Sequence, residues 1–320
     1  MKANGFNVLS RWIAPVLLVG LLISYVASLE QSKIIDRETN GALEEVGRVF
    51  GDSLQARLRV YEYRLRGLRG AIHMLDLDHV NSSQMSRYSQ GRNIEKEYPG
   101  ARGFGFIRRV SAKEESTFLT RVRADGNPQF SVTQLNRHSG DRFIIQFIDP
   151  LARNAQALGL DIASEERRRD AAVHAMRTGV ATLSAPITLK QNSEDHLRSF
   201  LFLLPVYRTP ETPADVEQRE AALIGWTYAP LAMREVISNL DPANQRLHLA
   251  LYDVSDGEQL LYQSPGGTSE PDVVHTHTLK REIYGRVWRI EIAAYPSFVS
   301  GLGAAPASRV FLIGIMASLF

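Results

Sequence analysis

The chain has 320 residues, 44% hydrophobic and 22% charged, enough apolar content for most of it to fold around a core. Its formal net charge of +2 makes no broad case for nucleic acid or for an acidic partner. It has no cysteine, which excludes disulfides, thiol catalysis and cysteine-ligated metals and is compatible with a bacterial periplasmic domain.

Residues 1–11 carry Lys2 and Arg11 and no acid. Trp12 to Leu29 then runs 18 residues without a charge, close to the ~20 that cross a bilayer core, so 12–29 is read as a transmembrane helix. Val26-Ala27-Ser28 is a tolerable signal-peptide cleavage site, but the run is long for a signal core. A second apolar run, Val310 to Phe320, favours an uncleaved anchor and is read as the start of a second span over 308–320, on which the chain stops. The positive bias before Trp12 places the N-terminus in the cytoplasm and residues 30 to about 300 outside, in the periplasm of a bacterial inner membrane.

From 30 to 75 the pattern is helical. Leu54, Leu58, Tyr61, Leu65, Leu68, Ile72 and Leu75 recur at spacings of three and four, and Leu43, Val46 and Phe50 extend the row backwards. Such a row is either a coiled-coil seam or a face that packs on the following domain. In both cases the helix joins directly to the membrane span.

Asp76 to Ser89 reads as a polar turn, followed by a short helix to Glu97 and a break at Pro99-Gly100. Ala101 to Val110 reads as a buried strand. Ser111 as N-cap, with Glu114 completing a capping box, opens a helix to about Arg123. Phe130 to Thr133 and Phe143 to Ile148 are expected strands. Ser164 is expected to cap a helix that closes at Gly179, with Glu165 and Glu166 in its first turn and Arg177 in its last. Strands follow at Ala181 to Leu189, Ser199 to Tyr207 and Ala221 to Ala229, then a helix from Pro230 to Leu240. Two hairpins close the domain, one around Asp256-Gly257 and one around Tyr284-Gly285. The soluble part is therefore α+β.

An ordered set of short motifs runs through this region: Tyr98-Pro99-Gly100, Asp149-Pro150-Leu151, Gly159-Leu160-Asp161, Ser164, Arg168-Arg169, Ala175, Thr178-Gly179 and Pro205-Val206-Tyr207. From about Leu43 to Ile237 the chain resembles the CHASE domain, an extracytoplasmic sensor module of bacterial receptor kinases and cyclases and of plant cytokinin receptors. The resemblance implies a long N-terminal helix followed by two tandem PAS-like subdomains within 76–298, the distal one at about 98–208 and the proximal one at about 221–298. It also implies a small-molecule pocket in the distal subdomain, in which Asp161 hydrogen-bonds an adenine-type ligand and Leu183 lines the wall.

On residue chemistry alone, Asp161 has two readings. A buried carboxylate accepts a pair of N–H donors from a ligand, or it supports the turn before the helix by accepting backbone N–H groups. Arg168 and Arg169 are better explained by pairing on their own helix than by an anion site. His275 and His277 fall on one face of a strand, a weak pattern for a metal. No nucleophile elbow, zinc-protease motif, phosphate loop or dinucleotide fingerprint is present, so no catalysis and no cofactor is expected within these residues. The expectation is a membrane-anchored sensor region, a homodimer, that binds a small molecule, possesses no nucleic-acid partner, and drives a histidine kinase or a diguanylate cyclase beyond this sequence. The alternative is a module that reads a periplasmic protein partner without a small ligand.

Overall fold

The computed structural model describes residues 6–75, 80, 82–89, 93–187, 199–242, 246–265, 273–303 and 305–319, with side chains from 15 to 318. Residues 76–79, the end of the strand expected to reach Leu189 and the polar connection after it lie outside the described residues.

The chain begins as one helix, α1, Phe6–His73. Its 68 residues make a rod about 100 Å long at 1.5 Å per residue. The apolar run and the stalk expected after it are a single element with no break between them. The character of that element changes along its length. Val16, Leu18, Leu22 and Ile23 are exposed, whereas Leu43, Phe50, Leu54, Leu58, Tyr61, Leu65, Leu68 and Ile72 are each 2% exposed or less. The row read as a seam or a packing face is thus a packing face, buried within its own chain.

After α1 the elements follow in order: α2 (Ser82–Ser89), α3 (Ile94–Glu97), β1 (Phe104–Val110), α4 (Glu115–Ala124), β2 (Thr133–Gln134), β3 (Arg142–Asp149), α5 (Leu151–Asn154), β4 (Leu160–Asp161), α6 (Glu166–Thr178), β5 (Thr182–Leu183), β6 (Ser199–Tyr207), α7 (Val216–Ala222), β7 (Leu223–Ala232) and α8 (Met233–Ile237). Then come β8 (Leu247–Asp253), β9 (Gln259–Gln263), β10 (His275–Ile283), β11 (Arg286–Ala294), α9 (Pro296–Gly301) and α10 (Ala307–Leu319). The first seven strands form a mixed sheet in the order β2-β4-β3-β1-β7-β6-β5, with β2 and β4 parallel; the last four form an antiparallel sheet, β10-β11-β8-β9. The protein is α+β.

Alternation along β6 divides the core. Phe200, Phe202, Leu204 and Val206 face the α1 side, and Leu201, Leu203 and Tyr207 join Ala172, Ala175 and Met176 of α6 on the other face. The second sheet crosses α1 lower down, where two glycines admit it. A Cβ on Gly47 would lie 2.5 Å from Leu279 Cδ2, and one on Gly51 would lie 3.3 Å from Ile290 Cδ1. Alongside the apolar part of α1 runs α10. Gly20 faces Ser318 and Gly314 faces Ser24, a reciprocal pairing of small residues that brings the two backbones close.

Several local expectations are corrected. Ser82–Ser89, read as turn, is a helix. The helix after Ser111 starts later, at Glu115: Ser111 Oγ donates to the Glu114 side chain 2.7 Å away, so it caps no backbone N–H. Ser164 is not the cap of α6; Glu165 is, accepting from Arg167 N and Arg168 N, while the Ser164 hydroxyl is taken by Asp161 O and Leu135 N. The strand expected at Phe130 to Thr133 is reduced to Thr133–Gln134, and the one from Ala181 to Thr182–Leu183 plus an isolated bridge at Ile187. Pro230, expected to open a helix, lies inside β7, beyond the last β1 partner of that strand, so its missing N–H breaks no ladder bond to β1. The helix itself is shorter, Met233–Ile237.

Candidate ligand-binding site

Asp161 ends β4, the short strand between β2 and β3, and its side chain is fully buried. Gly159 sets the approach. It has φ +77°, and a Cβ there would lie 2.0 Å from Ser131 O, so only glycine lets the chain pass. Its carbonyl accepts from Thr133 N and its N–H donates to Ile145 O, which pins β4 between its neighbours.

The two carboxylate oxygens have different partners. Oδ1 accepts from Phe143 N at 2.9 Å and Ala163 N at 3.0 Å, both buried. Oδ2 accepts from Gln134 Nε2 at 3.1 Å and stands 2.7 Å from His138 Nε2, with Arg142 Nε at 4.0 Å. Four donors therefore meet the roughly four lone-pair sites of a carboxylate. The backbone-supporting role weighed from sequence is present at Oδ1. The donors at Oδ2 belong to side chains of the segment 134–142, and His138 and Arg142 keep 18% and 15% of their side chains exposed.

Leu183 stands elsewhere. It is 1% exposed, pairs with Phe202 across β5 and β6, and donates its N–H to Tyr284 O at 3.0 Å. It lines a cavity of about 260 Å³ between α6 and the second sheet, and Asp161 is not among the residues lining that cavity. The two residues stand on β4 and β5, strands that are not neighbours in the first sheet.

The other motif residues have structural work. Tyr98 packs edge-on to Tyr61 and Phe104, and Tyr61 Oη donates to Pro99 O at 2.5 Å, which seats the Tyr98-Pro99-Gly100 turn on α1. Gly179 closes α6 at φ +77°. Tyr207 Oη donates to Met176 O, and with its hydroxyl buried its ionisation is pushed up to about 12. Arg168 is buried beside Glu165, and burial lowers its pKa while Glu165 opposes the shift. Tyr228 is fully buried, its hydroxyl has no hydrogen-bond partner among the described residues, and burial pushes its pKa well up. His275 lies 3.5 Å from Asp36 of α1, and among the described residues no three His, Asp or Glu side chains are grouped to hold a metal ion.

Sequence reasoning missed Gln134 and His138 as the partners of Asp161. They lie 27 and 23 residues before it in a segment without hydrophobic period, so no local pattern marks them.

A family model described as CHASE domain matches residues 78–262, more than half of the 320-residue chain. The chain is also similar to probable histidine kinase 4 of Oryza sativa subsp. japonica, with 33% identity over 128 residues. That match covers 38% of this chain and 12% of the rice protein, so the chain spans only a small part of that relative.

Proposed function

The chain belongs to the CHASE domain family, a family of sensor rather than catalytic domains, and on that premise we propose that it is the extracytoplasmic ligand-sensing region of a transmembrane receptor. The observation that carries this reading is α1. One helix supplies both an 18-residue window with mean hydropathy 1.4, only 6% of it buried, and the central rod of the sensor core. A rigid element common to membrane and sensor passes on any shift between two arrangements that a ligand favours unequally. In this reading α1 and α10 are the flanking spans, residues 30 to about 300 are periplasmic, the two sheets are the distal and proximal PAS-like units, and the output is a cytoplasmic histidine kinase or diguanylate cyclase.

The ligand in this reading is a small molecule with paired N–H donors, of which adenine derivatives are one class, and it binds at Asp161. Such a ligand takes the place of Gln134 and His138 at Oδ2 and leaves the backbone bonds at Oδ1 intact. The receptor is a homodimer through the outward face of α1, where Val49, Ala56 and Tyr63 recur every seven residues with Val60 beside them. Val49, Val60 and Tyr63 are 48%, 46% and 63% exposed. Val60→Glu is expected to convert a dimer to a monomer by light scattering; an unchanged mass removes this face from the assembly.

One observation favours the second reading, a module for a protein partner: Asp161 is already saturated by its own chain. Topology is tested separately. Because the chain has no cysteine, Val180→Cys, at a position 54% exposed, is a unique thiol. A membrane-impermeant maleimide is expected to label it on spheroplasts. Labelling only after lysis overturns the proposed orientation.

A further inference from the structure

We propose that the cleft between α6 and the second sheet binds a small zwitterion of amino-acid size, with Arg167 at its anionic end and Asp170 at its cationic end, and with His174 beyond Asp170, beside the Gly285 turn. The cleft is distinct from Asp161, and the proposal does not rest on the ligand assigned there.

Size is the first argument. The cavity holds about 260 Å³, below the range of about 300–1,000 Å³ that suits drug-sized ligands. Its lining includes the apolar side chains of Ala171, Leu183 and Ala185, the hydroxyl residue Thr182 and the glycine turn at Gly285.

Charge is the second. Arg167, Asp170 and His174 follow one another at intervals of three and four along α6, which puts them on one face of that helix. Their bonding capacity is mostly unspent. Arg167 uses Nη1 on Pro186 O at 2.7 Å. Among the described residues Asp170 has only a loose contact with its neighbour Arg169, at 3.6 Å. The His174 ring has no hydrogen bond to a described residue. The facing wall is different in kind. Arg286 is consumed by Asp253 and Asp256, with bonds of 2.7 to 2.9 Å, so that wall is fixed and offers no free cation. A lone anion would meet Asp170 and a lone cation would meet Arg167, whereas a molecule carrying both charges satisfies each.

Position is the third. Gly285 follows Tyr284, whose carbonyl accepts from Leu183 N at 3.0 Å and whose hydroxyl donates to Glu62 of α1 at 2.8 Å. The rim of the cleft is therefore one residue from a direct bond to the helix that enters the membrane.

The test is isothermal titration of the whole chain in detergent with L-alanine, L-glutamate and L-arginine, and with propionate as the match to alanine that lacks the ammonium. Saturable binding of at least one amino acid is expected, with propionate weaker by about tenfold or more, the equivalent of one lost charge-assisted hydrogen bond. Arg167→Gln and Asp170→Asn replace exposed side chains and leave the fold intact; each is expected to weaken binding by about tenfold. Asp161→Asn is expected to leave it unchanged. Absence of saturable binding by the folded chain overturns the proposal. So does binding that survives both α6 substitutions, or binding lost only in Asp161→Asn, which places the ligand at Asp161.

Discussion

Replacement of Asp161 separates its structural work from its ligand chemistry. In Asp161→Ala the N–H groups of Phe143 and Ala163 lose their acceptor, and both bonds are buried. Each stranded buried donor costs about 1–3 kcal/mol, so the substitution is expected to cost about 2–6 kcal/mol. For a domain of this size that is a fall in Tm of roughly 5–20 °C. Gln134 and His138 add little to the loss because their segment reaches water. Asp161→Asn behaves differently. Its carbonyl oxygen keeps the two backbone bonds, and its amide meets a Gln134 that can turn its own oxygen and a His138 that can present an unprotonated Nε2. The expected cost is about 1 kcal/mol. Urea unfolding of the detergent-solubilised chain, followed by tryptophan fluorescence, reads both values. An alanine variant within about 0.5 kcal/mol of wild type refutes the buried bonding at Oδ1, since that is less than the cost of a single stranded donor. An asparagine variant as damaged as alanine refutes the division between the two oxygens.

Gly159→Ala forces a side chain into φ +77° and against Ser131 O, and is expected to cost about 2 kcal/mol or more, read by the same unfolding assay. Acid sensitivity has a defined direction. Burial, reinforced by Arg69, depresses the pKa of His73, and burial depresses that of His248 against the opposing pull of Asp241. Stability from these two groups is complete above the unfolded value of about 6.5 and is lost as pH falls through the folded values. Asp149 has the opposite sign: burial raises its pKa, so its contribution is complete below its unfolded value and is lost as pH rises through the folded one. Unfolding midpoints are therefore expected to fall between about pH 7 and pH 5, and His73→Gln with His248→Gln is expected to flatten that slope. The contact between α1 and α10 predicts that Ser24→Cys with Gly314→Cys cross-links on oxidation, while Leu18→Cys with Gly314→Cys does not, because Leu18 is 68% exposed.

The elements legible in the sequence are those whose signals are local. Ser199 to Tyr207 is β6 at both ends, because the eight apolar residues from Phe200 to Tyr207, with no polar interruption, read as a buried strand. Asp256-Gly257 and Tyr284-Gly285 mark the two hairpins because such turns need left-handed backbone, seen at Gly257, Tyr284 and Gly285. Signals settled by tertiary contact misled. Ser164 has the chemistry of a cap, but Leu135 N and Asp161 O claim its hydroxyl first. Pro230 looked like a helix start because nothing local reveals where β1 stops pairing with β7. At the candidate site the turn-supporting role of Asp161 was legible as one of two readings, whereas its saturation by Gln134 and His138 depends on a segment brought in from a distance.

The most direct test of the sensor is a thermal-shift titration of the whole chain in detergent with adenine and N6-substituted adenines, run beside Asp161→Asn. A ligand that binds only the folded state raises its stability by RT ln(1 + [L]/Kd), so wild type is expected to rise in Tm with concentration and Asp161→Asn, still folded, is expected not to. A wild-type chain that is well folded and unmoved by every member of the panel contradicts the ligand reading at Asp161 and leaves the protein-partner module as the better account.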